Sequence, residues 1–286
     1  ENQSRSDFRV YSPGIQAAFG NDFGHNSAVP EKAVEEIKAQ PGVTSEVYLY
    51  RNTFEDDHIS CDWGTPYVVD NTNKELRMMP EHLNLGVYQT GTERDYAALT
   101  ADNHPLGNVF GFSENFFDQL DIIEGETDLS VLKDKLWNGN NVILMGEYND
   151  HGNFGGAEAA AYCGLSVGDT IQFYENGTPT EEFTIIAKAA ATDGDVTVTG
   201  GGSNIAQIIE GPRIFMAENK FKEIYETPTL YGFLFDVEEQ YQQEMETYLA
   251  QDTDVAYTSI LTMKATVSGV KNVVLLIGGM IGAVFA

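Results

Sequence analysis

The sequence predicts an α+β fold in two lobes, one built from both ends of the chain and a β-rich one inserted between them. Three observations predict it. Helix-period and strand-period segments alternate near both ends, at about 30–50 and again at 230–260. The middle, 110–209, holds mostly short apolar runs separated by turn residues. An acidic body then ends in fourteen residues with no polar side chain, Val273–Ala286 (VVLLIGGMIGAVFA). The expected division is 1–109 with 210–265 as the α+β lobe, 110–209 as the insert, and 266–286 as a stalk and the start of a transmembrane helix.

The elements follow in order. Pro30 to Gln40 (PEKAVEEIKAQ) reads as a helix, with Pro and Glu in its first turn and Ala33, Val34 and Ile37 as its apolar stripe. Pro41-Gly42 stops it, and Val43–Tyr50 reads as a strand. Tyr67-Val68-Val69 is a further short strand. Asn115–Leu120 is helical, and Asp121–Gly125 runs into a turn. Asp128 caps a helix that reaches Trp137. Asn141–Tyr148 holds the strand VILM.

Ile171–Tyr174 and Phe183–Lys188 are strands joined by Asn176-Gly177-Thr178-Pro179, a hairpin turn. Gly152–Gly156 and Asp193–Asn204 are glycine-rich loops. Arg213–Ala217 is a buried strand followed by a helix to about Tyr225. Leu230–Val237 is a strand, Glu238–Ala250 a helix and Val255–Ile260 the last strand.

Charge limits the partners. Sixteen Lys and Arg against 44 Asp and Glu leave a net charge of −28. Nucleic-acid binding needs clustered cations on phosphate, so this balance excludes it as a broad activity. Docking onto anionic lipid through a basic face is disfavoured for the same reason. Aromatic residues at 11% and hydrophobic residues at 42% supply a core and argue against intrinsic disorder.

The apolar tail has two readings. Fourteen helical residues span about 21 Å, short of the roughly 30 Å hydrocarbon core, which suits a buried terminal helix or a membrane helix cut short. Glycine is poor in a soluble helix, and Gly278 and Gly282 have the G-x-x-x-G spacing of close membrane-helix packing, so the membrane reading is favoured. The N-terminus, ENQSRSDF, lacks the pattern of a signal peptide. A segment excised between two membrane spans is the expectation that accounts for both ends.

The chemical candidates are few. Cys61 and Cys163 have no zinc or C-x-x-C spacing, and the sequence leaves open whether they are thiols or a disulfide. Glu55-Asp56-Asp57-His58 with Asp62 is the densest acidic cluster and reads as a solvated loop before a metal site. Asp193-Gly194-Asp195 starts like a calcium loop but lacks its closing Glu. Gly200-Gly201-Gly202 is followed by no G-K-[ST], and there is no G-x-S-x-G. No catalytic set assembles and no cofactor is implied. The expectation is a binding or mechanical domain, not an enzyme.

Several segments carry a family resemblance. Asn108–Phe117 (NVFGFSENFF) is a strand ending in a small polar turn and then an aromatic pair, Phe116 and Phe117. Leu120–Gly125 is followed by a helix and Asn141-Val142-Ile143-Leu144. Leu165–Ile171 contains the turn Val167-Gly168-Asp169, and Phe183–Ala187 is the strand after it. The helix at 30–40 exits through Pro41-Gly42-Val43, and Val270-Lys271-Asn272 leads into the apolar tail.

In order and spacing these resemble the extracytoplasmic (MacB-like periplasmic core) domain of MacB-type, FtsX-like ABC transporter permeases. The chain departs from the pattern in having Glu126 after Gly125 and a longer Tyr148–Tyr162 segment. The resemblance implies a porter-like lobe from both chain ends, a Sabre-like insert, and coupling to the membrane through Val270, Lys271 and Asn272. It implies as partners a cytoplasmic ABC ATPase, a second permease copy and an adaptor or envelope protein, with this domain outside a bacterial cell membrane. A membrane-anchored extracellular module binding a peptide or glycan is the alternative.

Overall fold

The structure, a computed structural model, describes residues 6–12, 28–52, 56, 58–62, 67–69, 76–78, 108–146, 165–191 and 213–261. Within them thirteen strands form two sheets. The strands are β1 (Phe8–Tyr11), β2 (Val43–Arg51), β3 (Ile59–Asp62), β4 (Tyr67–Val69), β5 (Leu76–Met78), β6 (Asn108–Phe112), β7 (Leu120–Gly125), β8 (Asn141–Gly146), β9 (Thr170–Glu175), β10 (Thr178–Ala191), β11 (Arg213–Ala217), β12 (Thr229–Val237) and β13 (Ala256–Ser259). The helices are α1 (Glu31–Lys38), α2 (Leu129–Asn138), α3 (Glu218–Ile224) and α4 (Gln242–Leu249). Turns of 3-10 helix run over Glu114–Gln119 and Glu239–Tyr241.

The large sheet has eleven strands in the order β13-β1-β12-β2-β6-β11-β8-β10-β9-β3, with β7 on β10 off this path. The pairs β6–β11 and β8–β10 are parallel and the other pairs of this sheet antiparallel. β4 and β5 pair separately. The fold is therefore α+β with one large mixed sheet. Strands from 110–209 continue the same sheet as the strands from both chain ends, through the β8–β11 pair.

Strand alternation sorts the core by face. Phe110, Phe112, Phe215 and Leu234 point to one side, where Phe116, Phe117, Leu132 and Leu136 from the 3-10 turn and α2 cover them. Their sequence neighbours Val109, Ile214 and Met216 point to the other side, against Phe221 and Tyr225 from α3 and its end. Further along that second face, Phe8, Val10, Phe233 and Phe235 pack under Ala33, Val34 and Ile37 of α1 and Met245 and Leu249 of α4. The result is three layers, with a helix layer on each face of the sheet.

Three segments differ from the sequence expectation. Asp121–Gly125 lies within β7 instead of a turn. Four of its six residues are exposed, two of them acidic, because β7 lies on β10 outside the main strand order. A register shift at Lys188/Ala189 places Ile123 out of the ladder at 50% exposure, so the usual alternation is lost. Part of the expected acidic loop is strand β3, and Asp56 before it is only 8% exposed. The helix expected from Glu238 is split into a 3-10 turn and α4.

Candidate functional site

The residues that carry the family resemblance lie mainly in the core. Phe112 is the hub of the aromatic group: its ring centroid lies 5.1 Å from Phe116, 5.7 Å from Phe117 and 5.6 Å from Trp137. Phe116 also stacks on Phe215 at 6.0 Å, and Phe110 stacks on Phe215 at 4.6 Å. The aromatic pair thus bridges the 3-10 turn to β6 and β11, and its cluster includes Val47 and Leu49 of β2. Gly111 between the two β6 aromatics admits α3: a Cβ there would stand 2.5 Å from Phe221 Cβ.

Gly125 ends β7 with φ +98, in the left-handed region. Ser166–Asp169 forms a turn closed by the Asp169 N–H donating to the Ser166 carbonyl at 3.0 Å. Gly168 has φ +98, the conformation a type II turn requires, and Val167 is half-buried beside it. The Ser166 N–H donates to Asp169 Oδ2 at 2.8 Å. The Gly168 N–H donates to the Ile185 carbonyl, and the Ile185 N–H to the Asp169 carbonyl, so the turn is fastened to β10. Asn176 (φ 48) and Gly177 (φ 75) make the β9–β10 turn with two left-handed residues, as type I′ demands.

Asp56 of the acidic run and Cys61 fall in a second environment, while Glu55 and Asp57 lie outside the described residues. Cys61 and Asp56 are buried near Tyr225 at the end of α3. Burial first, then electrostatic interaction with Cys61 and Asp56, raises the Tyr225 phenol well above its ordinary value. Among the described residues no group of three or more His, Cys, Asp or Glu is placed to hold a metal ion. Cys163 and both glycine-rich loops lie outside the described residues.

Two charged clusters lie on β2. Arg51, 4% exposed, places its guanidinium 5.2 Å from the Phe110 ring centroid and 5.4 Å from that of Tyr231. Lys38 Nζ bridges Glu35 at 3.3 Å and Glu46 at 3.6 Å. Tyr48 donates its hydroxyl hydrogen bond to Glu46 at 2.6 Å. The exposed large hydrophobic residues among those described are Ile123, Leu129 and Val131, none aromatic.

One corner joins the two ends of the described chain, and nothing in the sequence points to it. The Asp7 carbonyl accepts the Ile260 N–H at 2.9 Å, just past β13. The Asp7 N–H donates to Asp236 Oδ1 at 3.0 Å, and the Val237 N–H donates to Asp7 Oδ2 at 3.0 Å. Gln242 Nε2 of α4 donates to the same Oδ2 at 3.0 Å and to the Val237 carbonyl at 3.2 Å. Ser45, at φ 51, is in a bulge of β2 and hydrogen-bonds its side chain to Asp236. Isolated Asp and Gln residues at the ends of strands and of a helix carry no periodic signal, so only the folded register brings them together.

Val270, Lys271, Asn272, Gly278 and Gly282 lie outside the described residues. Among the described residues no helix is long and apolar enough to cross a membrane.

No family profile matches the sequence, and no curated protein matches it. Among solved structures, the chain is similar to the periplasmic region of MacB from Actinobacillus actinomycetemcomitans, at 11% identity and a TM-score of 0.42 over 93% of this chain and 94% of that one. It is also similar to the extracellular domain of the noncanonic ABC-type transporter YknZ from Gram-positive bacteria, at 10% identity and a TM-score of 0.37 over 89% of this chain and 100% of that one.

Proposed function

We propose that this chain is the extracytoplasmic domain of an ABC transporter permease subunit. It stands outside a bacterial cell membrane and couples ATP-driven motion of membrane helices to export of a substrate or to an envelope partner. The observation that carries the reading is the Asp7–Ile260 hydrogen bond. β1 and β13 are antiparallel neighbours with Phe8 opposite Ser259, so the segments before Asp7 and after Ile260 leave one corner together. A domain set between two membrane spans needs both connections on one side. Adjacent connections also let one helix movement act on the whole sheet. The motif order over 108–190 supports the same reading.

In this reading the porter-like lobe comprises 1–109 and 210–265, the insert 110–209, and the segment from 266 onward the stalk and membrane helix. The domain performs no chemistry and takes no cofactor. ATP hydrolysis belongs to a separate cytoplasmic ATPase subunit or domain, and a second permease copy completes the membrane part. Purification of the full-length protein from membranes tests this. Co-purification of an ABC ATPase, with hydrolysis altered by a cross-link between β1 and β13, is the expected result. A singly anchored protein that binds peptide or glycan and brings no ATPase would overturn it.

A further inference from the structure

Arg9 is a buried cation in an acidic chain. It lies inside β1 and is 6% exposed. Its strand neighbours Phe8 and Val10 pack under α1 and α4, so by alternation Arg9 points to the opposite face of the sheet. Its guanidinium carbon stands 5.8 Å from the Tyr11 ring centroid, and Tyr11 packs against the core of that face. Across the ladders Arg9 faces Leu234 of β12 and Thr258 of β13, neither of them acidic. Asp7 and Asp236, at the ends of these strands, direct their oxygens to backbone amides, Gln242 and Ser45. Among the described residues Arg9 Nε is buried with no hydrogen-bond partner, and no carboxylate forms an ion pair with the side chain.

The same face holds two further features. Gly232 stands opposite Tyr11 in the register, and among the described residues nothing lies closer than 3.8 Å to a Cβ built there. Glycine thus leaves room for a small group beside Tyr11. Next to it, Tyr231 shares the core cluster of Leu234, and its buried hydroxyl also has no hydrogen-bond partner among the described residues.

We propose that this face of β1 binds an oxyanion, a carboxylate or phosphate group, through the Arg9 guanidinium. A guanidinium stays charged in proteins, and its Nε–H with one terminal N–H forms a fork that matches two oxygens of either group. The Tyr11 ring attracts the cation but gives Nε no acceptor. A buried charge without a counter-charge and a buried N–H without an acceptor both cost free energy. One oxyanion seated on the fork removes both costs. The net charge of −28 repels a polyanion at long range, so the ligand is a small molecule with one or two anionic groups. The site needs only β1 and its two neighbours, so it stands or falls independently of the permease reading.

NMR of the Arg9 Nε–H in the 286-residue chain, assigned through bonds, tests the site. The chain is titrated with sodium phosphate and with sodium acetate, against sodium chloride at matched ionic strength. The Nε–H is expected to shift saturably with at least one oxyanion and not with chloride. The tighter of the two identifies the group preferred. The melting temperature is expected to rise over the same concentrations. Arg9→Lys keeps the charge but loses the fork, and is expected to weaken binding about tenfold. Arg9→Gln is expected to abolish both responses. An Nε–H that moves with neither oxyanion overturns the proposal, because a carboxylate of the chain or water then serves it. So does a rise in melting temperature that persists in Arg9→Gln. If Arg9→Gln does not fold, the Nε–H titration of the unmodified chain against chloride decides the question.

Discussion

Gly125 lies so close to Ile186 that a Cβ on the glycine would stand 2.4 Å from the Ile186 carbonyl oxygen. The obstructing atom is backbone, in the strand that β7 pairs with, so it cannot swing aside as a flexible side chain would. Gly168 shares the same φ of +98 but has nothing within 4 Å of its would-be Cβ. Alanine at Gly168 therefore meets only the conformational penalty, about 1–2 kcal/mol. Alanine at Gly125 adds the overlap and costs about 2–4 kcal/mol in all. Urea denaturation of the two variants measures the difference, and equal losses would show that β7 shifts to make room.

Phe116 and Phe117 are both buried in the aromatic group around Phe112. Truncation of either to alanine leaves a cavity on the sheet face covered by α2. A loss of about 3–5 kcal/mol is expected for each. The two share Phe112 as a neighbour, so the double variant should lose less or more than the sum, and a double-mutant cycle reads that coupling.

Tyr48 gives the fold an alkaline limit. Burial first, then its hydrogen bond to Glu46, push its phenol up to about 12, while the Lys38 hydrogen bond pulls it down. Lys38 is itself raised, first by its hydrogen bond with Tyr48 and then by Glu35. Stability from a raised phenol is complete below about pH 10 and is lost as pH rises through the folded value. Tyrosinate absorbance should show one fewer late-titrating phenol in Tyr48→Phe, with that of Tyr225 remaining. The same variant should lose less stability across that alkaline range than the parent chain.

Asp128 gives an acid limit of the opposite sign. Its carboxylate accepts the Ser130 hydroxyl at 2.7 Å, the Ser130 N–H at 2.9 Å and the Val131 N–H at 3.3 Å. The Ser130 hydroxyl is the largest cause that lowers its pKa, followed by the Val131 and Ser130 amides. The stability it adds to α2 is present above the ordinary aspartate value and lost as pH falls through the lowered one. Asp128→Ala should lower the melting temperature and increase exchange at Ser130 and Val131. The variant should also have a flatter acid dependence, and an unchanged exchange rate would rule out the cap.

Local signals made part of this fold legible before any coordinate. The stripe Ala33-Val34-Ile37 locates α1, the Asp128 cap locates α2, and Asn176-Gly177 locates the β9–β10 turn, because each is decided within a few residues. β1 gives no comparable signal: Phe8–Tyr11 is four residues long with Arg9 inside it, a charge that breaks the apolar run yet is buried in the fold. β7 was hidden because its exposed acids and bulged Ile123 break the alternation. The Asp7 corner depends on pairing across 229 positions, which no window of sequence reads.

The place of β1 in the sheet also sets an order of events during synthesis. A ribosome delivers Phe8 before every other strand of the large sheet, yet the strands that flank it are the last two of that sheet, with Phe235 on one side and Ser259 on the other. The sheet edge cannot close until nearly all of the described chain has emerged, so this domain completes its fold late. Until then Phe8–Tyr11 has neither of its ladder partners.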